Sequence, residues 1–120
     1  MATIDVLRHA DEYVRFPAGS TVLDEGGTGR LMYVVKEGTL DVRVGGRVVA
    51  TAGPGEVVGE LALIDDGPRS AAVVARTDCQ LVPVDEKRFL FLVQQTPYFA
   101  LQVMRVLADR LRKMNEIVGA

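Results

Sequence analysis

Residues 55–75, GEVVGELALIDDGPRSAAVVA, bring a glycine, a glutamate, an arginine and a serine into the spacing of an anion site. Gly59 follows the β-branched pair Val57-Val58 and precedes Glu60-Leu61-Ala62-Leu63-Ile64, a run of helix formers. An extended segment therefore gives way to a turn of helix at Gly59. The first amides of such a turn, those of Leu61 and Ala62, lack intrahelical partners and carry partial positive charge outward. Asp65-Asp66-Gly67-Pro68 reverses the chain, and Arg69-Ser70 opens a second apolar run, Ala71 to Ala75. The reversal can return Arg69 to the mouth of the turn. Its planar fork of donors suits phosphate oxygens, and the Ser70 hydroxyl adds another donor. Glu60 is repelled by a phosphate unless it faces a neutral donor on the same ligand, and a sugar hydroxyl is such a donor. A singly charged nucleotide fits this residue set.

The elements that must position these residues are short. From Tyr13 to Val84, β-branched runs alternate with turn residues: Tyr13 to Phe16, Thr21 to Leu23, Leu31 to Lys36, Thr39 to Val44, Arg47 to Thr51, Val57-Val58, Ala71 to Ala75 and Cys79 to Val84. This spacing predicts an eight-stranded β-roll or jelly roll. Gly45-Gly46 marks a two-residue hairpin. Pro83 cannot donate to a ladder, which places its strand at an edge or at a bulge. Met1 to Glu12 is expected to form a short helical segment that docks on the body. After Val84 the period changes. Asp85 is an N-cap for a helix over Glu86 to Gln95, apolar nearly all round and hence expected to be largely buried. Thr96-Pro97 starts a second helix, whose stripe Val103, Leu107, Leu111, Met114 and Val118 faces one side. Arg105, Asp109, Arg112 and Glu116 form a solvated charged face opposite.

Composition removes several function classes. A chain of 120 residues is read as one domain: residues 1–12 helical, 13–84 the roll, 85–118 the C-terminal helices. Its net charge of −2 gives no electrostatic footprint for nucleic acid. No apolar run approaches the ~18 residues of a membrane span, and Asp5, Arg8 and His9 interrupt any signal peptide. A cytoplasmic, soluble protein is expected. His9 is the single histidine and Cys79 the single cysteine, so no nucleophile and base pair for catalysis, and no enzyme is expected. Asp24-Glu25 and Asp65-Asp66 are explained by turn chemistry, and neither a metal nor a cofactor is expected.

Gly59-Glu60-Leu61-Ala62-Leu63, followed after a gap by Pro68-Arg69-Ser70-Ala71, resembles the phosphate-binding cassette of the cyclic nucleotide-binding domain. That family includes the protein kinase A regulatory subunit, the catabolite activator protein and cyclic nucleotide-gated channels. Phe16-Pro17-Ala18-Gly19, Asp24-Glu25-Gly26, Tyr33 to Gly38 and Leu107-Ala108-Asp109-Arg110-Leu111 fall where the family has similar runs. The resemblance implies a β-roll flanked by helices that binds a cyclic nucleoside monophosphate as a regulatory sensor. It favours cyclic AMP over cyclic GMP, although serine after the arginine occurs in binders of both. By the same resemblance, the Leu61 and Ala62 amides with Arg69 and Ser70 hold the phosphate. Glu60 accepts from the ribose 2′-hydroxyl, and Gly59 lets the backbone approach. The base rests on Val58 and Val73 under a cap from Arg112, Lys113, Met114 and Asn115. The terminal helix moves with occupancy, and it can also pair with a second copy or an effector outside the chain. The alternative is a degenerate fold of this type that serves only protein contacts.

Overall fold

Short β-branched segments separated by glycine-bearing turns favour antiparallel pairing, because a tight turn returns each strand beside a neighbour. The computed structural model of the chain describes residue 7, residues 10–60, residue 63 and residues 69–117, without the side chains at 114, 116 and 117. Within these residues lie β1 (Val14–Phe16), β2 (Thr21–Leu23), β3 (Met32–Glu37), β4 (Leu40–Val44), β5 (Arg47–Ala52), β6 (Val57–Val58), β7 (Ala72–Ala75) and β8 (Cys79–Val84). Two helices follow, α1 (Glu86–Gln95) and α2 (Tyr98–Ile117). The strands pair antiparallel in two four-stranded sheets of order β1-β8-β3-β6 and β2-β7-β4-β5. The chain is thus a mainly antiparallel β-roll with helices, as the runs of β-branched residues predict. Gly45 and Gly46 both take positive φ, 58° and 80°, the type I′ geometry that lets Val44 pair with Arg47.

The two sheets differ in what covers them. Val35, Leu40, Val58, Val73, Ala75 and Leu81 fill the space between the sheets. Met32, Val34, Val57, Val82 and Val84 project from the other face of the first sheet against Leu92, Phe99, Val103 and Val106 of the helices. The first sheet is therefore buried on both faces, which explains why β3, β6 and β8 are nearly continuously apolar. In the second sheet, β5 keeps Val48 and Val49 in solvent. Phe99 is wholly buried and meets Phe89 edge-on, with ring centroids 5.3 Å apart.

Three expectations are corrected here. The strand carrying Pro83 is neither at an edge nor bulged at that residue: β8 lies between β1 and β3, and its irregularity falls opposite Val35 and Glu37. Proline is tolerated because the β1 ladder stops at Val14 opposite Leu81, leaving Pro83 without a partner on that side. Secondly, α1 is not largely buried. Only Leu92 is fully buried, with Phe89 and Val93 partly covered, while Leu90 and Phe91 are more than half exposed, because protein packs against one face of the helix alone. Thirdly, the buried stripe of α2 is Phe99, Val103 and Val106, with Leu107 partly covered. Leu111 is 62% exposed, since burial falls away in the last turns. Met114's side chain and Val118 lie outside the described residues, as does most of the expected N-terminal helix, where only Leu7 and its carbonyl bond to the Ala10 amide are seen.

Asp85 caps α1 as expected, accepting from the Arg88 amide at 2.7 Å. Thr96 ends α1, and α2 begins at Tyr98, one residue beyond the expected start. Removal of the Phe99 ring should cost about 3–5 kcal/mol, the range for truncating a buried aromatic. Urea denaturation of Phe99→Ala against wild type measures this, and a loss under about 1 kcal/mol would show that α2 docks without the ring.

Candidate functional site

β6 leads directly into Gly59, whose φ of 75° belongs to the left-handed region where a side chain is strained. Space is also lacking: a Cβ on Gly59 would stand 2.5 Å from Arg69 Nη1 and 3.1 Å from the Leu31 carbonyl oxygen. The Leu63 amide donates to the Glu60 carbonyl at 3.1 Å, the i to i+3 bond of a helical turn. The amides of Leu61 and Ala62 lie outside the described residues, with the rest of 64–68.

Arg69 returns to this turn. Its Nη1 donates to the Gly59 carbonyl at 3.1 Å and its Nη2 to the Leu31 carbonyl at 2.8 Å. Its backbone is pinned as well, with the amide on the Gly27 carbonyl at 2.9 Å and the carbonyl accepting from the Gly26 amide at 2.8 Å. Both partners of the guanidinium are neutral, and no ion pair forms at Arg69 among the described residues. Among the described residues the cation is oriented without being neutralised, which leaves its other N–H groups for an anion. Ser70 is exposed beside it, just before β7.

Glu60 sits differently from Arg69. It is 3% exposed, and its Oε1 accepts from Nη1 of Arg110 on α2, whose Nη2 also donates to the Val57 carbonyl. One arginine of α2 thus grips both the end of β6 and the carboxylate that follows it. A carboxylate this deep needs such a partner, because an unpaired buried charge is costly. Val58 and Val73 belong to the same cluster between the sheets and are almost fully covered. Of the four cap candidates, Arg112 is exposed and paired with Asp109 at 3.0 Å, Lys113 and Asn115 are exposed, and Met114's side chain is outside the described residues.

The structure therefore brings Gly59, Glu60 and Arg69 together and adds residues that the sequence reading passed over. Arg110 was placed in a family-like run but given no role. Its signal is its position: it follows Val106 by four residues and Leu107 by three, on the side of the helix that faces the roll. Gly29 and Leu31 gave no signal, since only the fold sets them beside Arg69.

Gly59, Glu60 and Arg69 thus meet where the cassette resemblance expects them, and the sequence profile of the cyclic nucleotide-binding domain matches residues 13–96. The chain belongs to the cyclic nucleotide-binding domain family. It is 36% identical over 110 residues to the Pycsar effector protein XpPycTIR of Xanthomonas perforans, covering 91% of this chain and 36% of that protein. It is 35% identical over 105 residues to the cyclic AMP receptor protein of Thermus thermophilus, covering 83% of this chain and 49% of the relative. Its fold superposes on the crystal structure of the Thermus thermophilus catabolite activator protein with a TM-score of 0.76 at 30% identity, over 94% of this chain and 61% of the other. The chain spans about half or less of the length of these curated relatives. This cyclic nucleotide-binding domain is therefore homologous to cyclic AMP-binding regulators. Among the described residues no helix is long and apolar enough to cross a membrane, and no cluster of three metal-ligating side chains occurs.

Loss of the Arg110 side chain should leave Glu60 buried without its charged partner and lower stability by about 1.5–3 kcal/mol, the range for a hydrogen bond to a charged group. Arg110→Ala in chemical denaturation reads this directly, and the double variant with Glu60→Gln should recover part of the loss. Additive losses would mean that the pair is not coupled.

Proposed function

We propose that the chain binds a cyclic nucleoside monophosphate, cyclic AMP in preference to cyclic GMP, and reports its occupancy through α2. The observation that carries this reading is the Arg69 guanidinium, held by the neutral carbonyls of Gly59 and Leu31 with no ion pair among the described residues. A cyclic phosphate carries one charge, and one arginine balances it. Arg69 and Ser70, with the Leu61 and Ala62 amides, hold the phosphate, and Gly59 allows the close approach. Glu60 accepts from the ribose 2′-hydroxyl through the oxygen that Arg110 does not take. Val58 and Val73 support the base, with Arg112, Lys113, Met114 and Asn115 as its cap. The name of the Thermus relative, a cyclic AMP receptor, supports adenine. No catalytic step, metal or further cofactor is part of the reading.

Coupling follows from Arg110. A ligand that engages the second oxygen of Glu60 shares the carboxylate that anchors α2, so the strength of the Arg110 contact, and with it the favoured position of the helix, differs between the empty and the occupied site. The signal is a population shift set by differential affinity. An effector or a second copy meeting α2 is the receiver in this account.

A second reading is favoured by one observation. Leu90 and Phe91 on α1, with Leu101, Met104 and Leu111 on α2, are exposed apolar residues on the helices. A fold of this type that serves only protein contacts has need of such residues and none of Arg69.

Calorimetric titration with cyclic AMP and cyclic GMP separates the two. Wild type should bind, with cyclic AMP the tighter, and Arg69→Ala should lose about tenfold or more, since a charge-assisted contact contributes about 1.5–3 kcal/mol. Equal affinity in the variant would place the phosphate elsewhere. No binding of either nucleotide by folded wild type would favour the contact module. Amide exchange over 98–117 that does not respond to saturating nucleotide would rule out the coupling.

A further inference from the structure

The loop between β2 and β3 contacts both Arg69 and α1. On one side it holds Arg69: the Gly26 amide and Gly27 carbonyl bind its backbone, and the Leu31 carbonyl takes Nη2. On the other side it reaches α1: Arg30 Nη2 donates to Glu86 Oε2 at 2.6 Å, in the first turn of that helix. Leu31 also lines a surface groove with Asp85, Lys87, Arg88 and Phe91. Adjacent residues, Arg30 and Leu31, thus grip the helix and the guanidinium respectively.

Gly29 completes the geometry. A Cβ there would stand 2.9 Å from Arg69 Nη2, although the φ of Gly29 is not in the left-handed region that strains a side chain. The atom displaced is the far end of a flexible side chain, so alanine would shift the guanidinium at little cost to folding. Gly29 is therefore a space kept for the position of Arg69, not for the turn.

We infer that Gly29 and Arg30 are positioning residues: the β2–β3 loop sets the Arg69 guanidinium and transmits its displacement to α1 through the Arg30–Glu86 pair. This route is separate from Glu60 and Arg110, which act on α2. The inference deepens the proposed nucleotide-binding function and rests on it for its purpose, while the link itself exists without ligand. The Arg30–Glu86 pair is exposed and weak, so the shift it transmits to α1 is correspondingly small.

The test begins with ligand-free protein. Amide resonances of Glu86, Lys87 and Arg88 should move in Arg69→Lys relative to wild type, and the response should vanish when Arg30→Ala is added. Exchanging the charges, Arg30→Glu with Glu86→Arg, should restore it. A response that persists without Arg30, or is absent altogether, overturns the link. In titrations with cyclic AMP, Gly29→Ala should bind about tenfold more weakly with an unchanged thermal midpoint. Wild-type affinity in that variant overturns the positioning role, and a lowered midpoint assigns Gly29 to folding instead. Should wild type bind no cyclic nucleotide, the functional reading falls, and the ligand-free resonances alone decide the link.

Discussion

A guanidinium held by two neutral carbonyls is the constraint on which the rest of this structure depends. Had a carboxylate oriented Arg69, the pair would be neutral and an arriving phosphate would have to displace it. The Gly59 and Leu31 carbonyls fix direction while leaving the charge unspent. That solution imposes conditions elsewhere. Gly59 and Gly29 must lack side chains, since a Cβ at either would meet the guanidinium. The β2–β3 loop must lie across the cassette, which requires β2 beside β7 and β3 beside β6. The roll is the scaffold that satisfies both pairings at once.

The second arginine solves the opposite problem. Glu60 is almost fully buried, and its charge is met by Arg110 from a helix fifty residues away in the chain. Arg110 also takes the Val57 carbonyl, so α2 is fastened to the strand that presents the cassette. A buried pair of this kind adds little net stability against an apolar substitute, but losing one partner is expensive. In the proposed function that asymmetry suits a switch, in which the occupancy of Glu60 biases the position of α2 while Phe99, Val103 and Val106 keep it docked. Burial along α2 fits this, being firm from Phe99 to Val106 and weak beyond Leu107.

Much of the fold was legible because its signals are local. Turn glycines and β-branched runs located every strand, and Gly45-Gly46 located a hairpin whose positive φ angles only glycine adopts readily. The meeting of Arg69 with Gly59 was legible for the same reason, being ten residues apart across one reversal. Its second anchor was not, because Leu31 is 38 residues distant and offers only a backbone carbonyl, which any residue has. Pro83 misled because a strand's place in a sheet depends on where its neighbours stop. In α1, Leu90 and Phe91 misled because an apolar pattern does not say on how many sides protein is present. Arg110 lies in the family-like run 107–111 and received no role there, though its spacing from Val106 and Leu107 sets it on the inner side.

The account is tested most directly by a crystal structure of the chain with cyclic AMP bound. It predicts the cyclic phosphate within hydrogen-bonding distance of the Arg69 guanidinium, with the Glu60 carboxylate facing the ribose 2′-hydroxyl. A nucleotide whose phosphate lies away from Arg69, with both carbonyl bonds of that side chain undisturbed and Glu60 still closed on Arg110 alone, would contradict it.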